Sequence, residues 1–158
     1  MSRYESGHLL ANPIQNTRYE TQLAASPDAI REALAALRSW MAAAGAPESL
    51  LSRAELVMAE ALNNIAEHAY AARGSESIRL RAFLSATRLC VTVSDTGGPF
   101  PAGAPPTARL PDPSVPDHAL PEGGFGWFLI HDQTDSLKYT RRNGANHLRL
   151  IFRRDRVT

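Results

Sequence analysis

The chain of 158 residues has little of what would mark a specialised class of protein. Its one cysteine, Cys90, cannot form an internal disulfide, and its place in an apolar run predicts a buried small side chain rather than a reactive thiol. No stretch approaches the roughly 20 apolar residues that cross a bilayer, and no apolar run near the N-terminus is typical of a signal peptide. The sequence therefore predicts a cytoplasmic protein that does not enter a membrane.

The chain also lacks an excess of charge of either sign. The chain carries 17 basic and 16 acidic side chains, and no polybasic run interrupts their mixture. Direct binding of nucleic acid or of a membrane surface through bulk charge is therefore not expected. With 44% hydrophobic and 21% charged residues, the composition is that of one ordinary globular domain.

Periodicity and turn signals divide the chain into a flexible leader, residues 1–16, and a single domain, residues 17–158. Alternating apolar residues predict strands, and apolar residues at helical spacing predict helices that begin and end at Ser, Pro or Gly. Ser26 as N-cap, followed by Pro27, predicts the start of the first helix, and Asn143-Gly144 predicts the turn between the last two strands. The order is a strand, two helices, two strands, a loop, a helix and two strands. This order predicts an α/β (α+β) fold, a two-layer sandwich in which a mixed, mostly antiparallel sheet carries helices on one face. The predicted strands are 17–24, 76–84, 88–95, 137–142 and 147–153, and the predicted helices are 29–44, 47–74 and 124–133.

Proline is concentrated in one place, because eight of the 11 prolines lie between Pro99 and Pro121. Such a segment cannot form regular structure, so a long loop or lid is expected at about 99–123. Loops of this length in a compact domain are uncommon and are usually functional or disordered.

The second predicted helix places a carboxylate and a carboxamide together. Glu60 and Asn64 are four residues apart, so both side chains point to the same side, one turn apart. A solvated polar face on an amphipathic helix is the simpler explanation of this pair.

Two glycine motifs favour a binding site. The segment Asp95-Thr96-Gly97-Gly98-Pro99-Phe100 ends a strand, where Asp95 is either a turn-former or an acceptor for an exocyclic amine, with Gly97 admitting a flat ring. The segment Gly123-Gly124-Phe125-Gly126 opens a helix, where backbone N–H groups and the helix dipole favour an anion. The P-loop motif and the H-R-D and D-F-G motifs of conventional protein kinases are absent from the sequence.

Taken together, E-x-x-x-N on a helix, D-x-G-x-P-F, and G-G-x-G-x-x-L-I after a long lid resemble the GHKL ATPase superfamily. Glu60-Ala61-Leu62-Asn63-Asn64 followed by His68-Ala69-Tyr70 is most similar to its anti-sigma-factor serine/threonine kinases. The resemblance extends from about residue 17 to residue 153. It implies an ATP-binding kinase domain that uses ATP and Mg²⁺.

The resemblance also implies roles for individual residues. Glu60 corresponds to the general base, and Asn64 to a side-chain oxygen ligand of Mg²⁺. Asp95 corresponds to the contact with the adenine amino group, with Gly97 against the ring. The phosphates correspond to the helix start at Gly124 and Gly126.

By the same resemblance, the protein would sequester an RNA polymerase sigma factor and phosphorylate a STAS-type anti-sigma-factor antagonist. Dimerisation is common in that family, so a homodimer is a further expectation. One departure supports an alternative. Where the family commonly has Asp-Pro after the second motif, this chain has Pro101-Ala102. The alternative is a catalytically silent, nucleotide-gated binding module. A stand-alone catalytic domain acting on a histidine acceptor in another chain is also left open.

Several residues keep two interpretations. His68 either touches ligand or is structural, and Arg109, the one arginine in the lid, either reaches a γ-phosphate or is a surface residue. Trp40 either extends the first helix into a protein interface or is buried. Trp127 and Phe128 are expected to pack in the core.

Overall fold

The structure is a computed structural model, and it describes residues 16–71, 77–107 and 124–155. These residues contain five strands and three helices. Each predicted element is present, and its limits are shifted by two residues or fewer. The exception is the end of the second helix, which lies next to residues outside the described part. In chain order they are β1 (Thr17–Ala24), α1 (Pro27–Ala43), α2 (Glu48–Ala71), β2 (Ser77–Leu84), β3 (Arg88–Asp95), α3 (Gly124–Gln133), β4 (Ser136–Arg142) and β5 (Ala145–Arg153).

The five strands form one sheet in the order β1-β2-β3-β5-β4, and all four neighbouring pairs are antiparallel. The predicted two-layer fold, with a mostly antiparallel sheet and helices on one face, is confirmed. The β4–β5 hairpin turns at Asn143 and Gly144, whose φ angles of 50° and 78° are those that a two-residue turn of this kind requires.

Alternation along the strands separates the sheet into two faces. In β3, Leu89, Val91 and Val93 are buried against the helices, whereas Cys90 lies on the opposite face and is only half-buried. The expectation that Cys90 is a buried core residue was therefore wrong. Cys90 belongs to the phase of this strand that the period of two turns away from the core, although apolar residues flank it in the sequence.

The helices supply the other half of the core. Ser26 caps α1 by accepting a hydrogen bond from the Ala29 N–H at 3.3 Å, and Pro27 occupies the first turn, as predicted. Trp40 is half-buried and packs beside Tyr19 of β1 with ring centroids 5.4 Å apart, so its predicted place in an interface stays a prediction. Among the described residues, no helix is long and apolar enough to cross a membrane.

Candidate functional site

Two helices bring three of the predicted site residues together. Glu60 and Asn64 lie half-buried on α2, and α3 packs against this part of α2 with Gly126 facing them. A Cβ atom built on Gly126 would lie 2.5 Å from Glu60 Oε2 and 3.6 Å from Asn64 Nδ2. Only glycine permits this approach, so the carboxylate and the carboxamide lie directly beside the first turn of α3.

The Asn64 side chain is oriented by its own helix. Its Nδ2 donates a 2.7 Å hydrogen bond to the backbone carbonyl of Glu60. Because a carbonyl oxygen can only accept, this bond fixes the amide nitrogen toward the Glu60 carbonyl and leaves Oδ1 as the acceptor atom for a ligand. A carboxamide oxygen is the kind of ligand that Mg²⁺ takes, and Mg²⁺ usually needs only one or two protein ligands.

The start of α3 supplies the complementary charge. Gly124 is the first residue of α3, and the backbone N–H groups of a helix's first turn have no partner within the helix. These groups and the helix dipole favour an anion next to Glu60 and Asn64. A phosphate group and a cation can therefore share this part of the molecule.

Beside these residues lies an open pocket, whose space together with the adjoining solvent amounts to about 490 Å³. Ala61 and Ile65, the α2 neighbours of Glu60 and Asn64, form one wall of the pocket. Asp95 and Gly97 line it as well, together with apolar and aromatic side chains. A mostly apolar cavity with one carboxylate suits a ring that bears an exocyclic amine. The further lining residues are Gly98, Pro99, Phe100, Trp127, Tyr139, Asn146 and Leu148.

The buried Asp95 carboxylate shapes the motif that follows it. Its Oδ1 accepts hydrogen bonds from the Gly97 N–H and from Asn146 Nδ2, each at 2.9 Å. Both of these bonds use Oδ1, so Oδ2 is the oxygen left for a donor in the pocket. The turn-forming and binding interpretations of Asp95 are thus compatible, because one oxygen can serve each.

Asn146 is a part of the site to which the sequence assigned no role. From β5, its buried amide nitrogen also faces the carbonyl oxygens of Gly97 and Gly98, at 3.2 and 2.9 Å. Its Oδ1 accepts from Tyr139 Oη at 2.6 Å and from Arg141 Nη1 at 2.7 Å. The sequence contained an indication of this role. Asn146 is a polar residue at a position that faces the core, whereas the other core-facing residues of the strand are Leu148, Leu150 and Phe152.

The Pro-rich segment is anchored where it begins. The Phe100 ring contacts Trp127 of α3 and Tyr139 of β4 edge-on, with centroids 5.2 and 5.0 Å away. Further along, His131 Nε2 lies 3.1 Å from the carbonyl oxygen of Pro106. Residues 101–107 contain turns and no helix or strand, in line with a lid, while residues 108–123, including Arg109, lie outside the described part.

Two aromatic side chains of α3 differ in their burial. Trp127 is buried, as predicted, whereas Phe128 is only half-buried beside Phe125. The His68 side chain lies outside the described residues. No cluster of three or more His, Cys, Asp or Glu side chains that could hold a metal ion occurs within residues 16–71, 77–107 and 124–155.

Comparison with known proteins defines the class. Residues 23–152 match the family model of the histidine kinase-like ATPase domain, so the chain belongs to that family. This confirms the predicted membership of the GHKL superfamily and implies ATP binding.

Two particular proteins refine the comparison. The chain is 35% identical over 94 residues to the serine/threonine-protein kinase BtrW of Bordetella bronchiseptica, a match that covers 58% of this chain and 62% of the relative. Its fold matches the crystal structure of the RsbU and RsbW domains of Rv1364c from Mycobacterium tuberculosis with a TM-score of 0.61 at 20% identity. That match covers 87% of this chain and 32% of the solved chain.

Proposed function

We propose that this protein is an ATP-dependent serine/threonine protein kinase of the GHKL type that also acts as an anti-sigma factor. Its substrate would be a STAS-type anti-sigma-factor antagonist, and its second partner an RNA polymerase sigma factor. The observation that carries the proposal is the close approach of Glu60 and Asn64 to Gly126, which places a carboxylate and a carboxamide beside an anion-binding helix start. The kinase name of the Bordetella relative supports the same class of reaction.

The proposed mechanism assigns one task to each part of the site. Asn64 Oδ1 would hold Mg²⁺, which supplies charge neutralisation for the phosphates of ATP. The first turn of α3, from Gly124 to Gly126, would hold phosphate oxygens through backbone N–H groups. Asp95 would accept a hydrogen bond from the adenine amino group, with Gly97 against the ring.

Glu60 would act on the protein substrate. Its carboxylate would orient the serine or threonine hydroxyl and take its proton as the oxygen attacks the γ-phosphorus. The bond between the γ-phosphorus and the bridging oxygen would break, and ADP would leave with that oxygen. Phosphoryl transfer depends mainly on positioning and charge neutralisation, so one carboxylate next to a preorganised phosphate site is sufficient. The phosphorylated antagonist gains ≈ −1.5 to −2 charges, which disrupts an interface by desolvation and repulsion.

The test is transfer of labelled γ-phosphate to a recombinant STAS-domain antagonist. Glu60→Gln is expected to lower the transfer rate by about 10²–10⁴-fold while ATP still binds. Asn64→Ala is expected to weaken the Mg²⁺-dependent part of ATP binding. The neighbours Glu67 and Asn63 are exposed on the same helix, so Glu67→Gln and Asn63→Ala are matched controls and should transfer normally.

Two results would contradict the proposal. Unchanged transfer in folded Glu60→Gln protein would remove Glu60 from the mechanism. Bound ATP that keeps its γ-phosphate during long incubation with the antagonist and the sigma factor would favour the nucleotide-gated binding module instead.

A further inference from the structure

The sheet face opposite the helices is strongly basic. Alternation places one acidic side chain on it, Glu20, and eight basic ones among the described residues. This distribution leaves nine basic and 15 acidic side chains for the rest of a chain whose net charge is only +1. The eight are Arg18, Arg79, Arg81, Arg88, Lys138, Arg142, Arg149 and Arg153.

The strand register arranges this face in rows that cross the strands. One row contains the half-buried Phe83, Cys90 and Ile151, which are opposite one another on β2, β3 and β5. We call this row the apolar strip. None of its three residues belongs to the hydrophobic core beneath the helices.

Basic rows flank the apolar strip on both sides. On one side Arg81, Arg149 and Lys138 occupy β2, β5 and β4, two residues along each strand from the strip's row. On the other side Arg88 and Arg153 are opposite each other on β3 and β5. An apolar centre with a charged rim is the anatomy of a protein–protein interface.

The arrangement is unfavourable for the isolated domain. Two cross-strand pairs have like charges, Lys138 opposite Arg149 and Arg88 opposite Arg153, and like charges directly opposite destabilise a sheet. The one ion pair among described residues of this face, Arg79 with Glu20 at 3.8 Å, does not involve either of them. Carboxylates of a partner would relieve both repulsions.

We propose that this face is a docking surface for an acidic amphipathic helix of a partner protein. The apolar strip itself crosses three neighbouring strands spaced about 4.8 Å apart, or roughly 10 Å. The row that contains it runs on to Arg18 of β1 and Ser136 of β4, so the whole row spans roughly 19 Å, the length of about 13 helical residues. The basic rows lie about 7 Å to either side, which suits Asp and Glu on the flanks of one helix. The inference names the chemistry of a partner for the proposed regulator, and its test does not depend on phosphotransfer.

Two other occupants fit the face less well. A second copy of the same face would oppose two strongly positive surfaces. A nucleic acid strand needs aromatic platforms for its bases. Phe83 is the one Phe, Tyr or Trp ring of this face among the described residues, and the Arg18 guanidinium already lies over it, 5.9 Å from the centroid.

The probe is a fluorescent helical peptide of about 18 residues, with leucines on one stripe and glutamates on both flanks. A peptide of the same composition in scrambled order is its control. We expect the patterned peptide to bind the full chain, the scrambled one to bind more weakly, and affinity to fall as NaCl rises from about 0.05 to about 0.5 M. Phe83→Thr should reduce the affinity that remains at high salt.

Charge reversal separates docking from folding. The double variant Arg88→Glu with Lys138→Glu turns both like-charge pairs into attractive ones, so it should raise the melting temperature while weakening peptide binding about tenfold or more. The control Arg31→Glu changes the charge of an exposed residue on α1 that is paired with Asp28, and should leave peptide binding unchanged. Stabilisation of the double variant by Mg-ATP should match that of wild type, whether or not the protein proves to be a kinase.

Three results would overturn the proposal. The first is equal binding of patterned and scrambled peptides, or no effect of charge reversal on binding. The second is tighter binding of a single- or double-stranded oligonucleotide than of the patterned peptide at the same salt. The third is concentration-dependent dimerisation that charge reversal abolishes.

Discussion

Replacing Gly126 by alanine tests the proposed site through a change of one methyl group. The new Cβ would lie 2.5 Å from Glu60 Oε2, whereas ordinary contact begins near 3.4 Å, so the carboxylate must retreat by roughly 1 Å. The glutamate side chain is flexible and its end can move, so the substitution displaces the carboxylate without displacing the backbone. A misplacement of about 1 Å at a reacting group can reduce the rate about 10²-fold.

The stability of the Gly126→Ala protein should stay the same or rise, although its transfer rate falls. Gly126 lies within α3 and is not among the glycines with positive φ, so alanine fits its backbone conformation. Gly-to-Ala in a helix contributes about 0.5–1 kcal/mol of stability. We therefore expect Gly126→Ala to unfold at the same or a slightly higher temperature while its transfer rate falls about 100-fold.

Gly144→Ala is the matched control. An added Cβ there meets nothing within 4 Å, but the φ of 78° is unfavourable for alanine and costs about 1–2 kcal/mol. This variant should melt a few degrees lower and transfer phosphate at the wild-type rate. The two glycine variants thus separate loss of stability from loss of activity.

The refuting measurement is a double-mutant cycle with Glu60→Gln, using label transfer to the antagonist. If Gly126→Ala acts by displacing the Glu60 carboxylate, it should cause little further loss in the Glu60→Gln background. If the rate losses of the two single variants multiply in the double variant, the methyl group acts elsewhere, for example by blocking the phosphates. The proposed displacement of the Glu60 carboxylate would then be wrong.

Three further predictions concern the pocket and the core. Asn146→Ala should destabilise the fold by about 1–3 kcal/mol in urea unfolding and weaken ATP-analogue binding, because Asp95 and Tyr139 lose a buried partner. Unchanged stability would contradict a stabilising role of the hydrogen bonds described for Asn146. Asp95→Asn should weaken ATP-analogue binding about 10–100-fold in calorimetric titration, since one amide cannot accept on both sides, and equal affinity would remove Asp95 from adenine recognition. Leu62→Ala, at a position with 0% exposure, should cost about 2–5 kcal/mol by thermal unfolding with normal transfer per folded molecule, and a smaller cost would argue against the packing of α2.

Local sequence signals were sufficient to predict most of the helices and strands. Ser26 and Pro27 marked the start of α1, alternation marked β3, and Asn143-Gly144 marked the last hairpin, because each is set by neighbours in sequence. The pairing of β3 with β5 was not readable in the same way, since it depends on contacts between residues about 50 positions apart. For this reason Asn146 received no role, although the motif around Asp95 did.

The charge of the open sheet face was missed for a related reason. The sequence contains no basic run, and a charge-neutral composition argued against a basic surface. Residues such as Arg79 and Arg81, or Arg149 and Arg153, are separated by residues of the other phase, and three more strands contribute the rest. Only folding of the sheet brings these basic side chains together on one face. The error about Cys90 has the same origin, because it too depends on the phase of a strand.

The contact between Asn146 and the Asp95 motif also determines when the nucleotide pocket can form during synthesis of the chain. The segment that follows β3 is held by hydrogen bonds from the side chain of Asn146, which lies 51 positions after Asp95. A nascent chain that has released residues up to Phe100 therefore holds most of the pocket's sequence but cannot yet fix its shape. Affinity for the nucleotide should arise late and abruptly, with the closing hairpin, so that partially synthesised or partially unfolded molecules do not compete with finished ones for ligand.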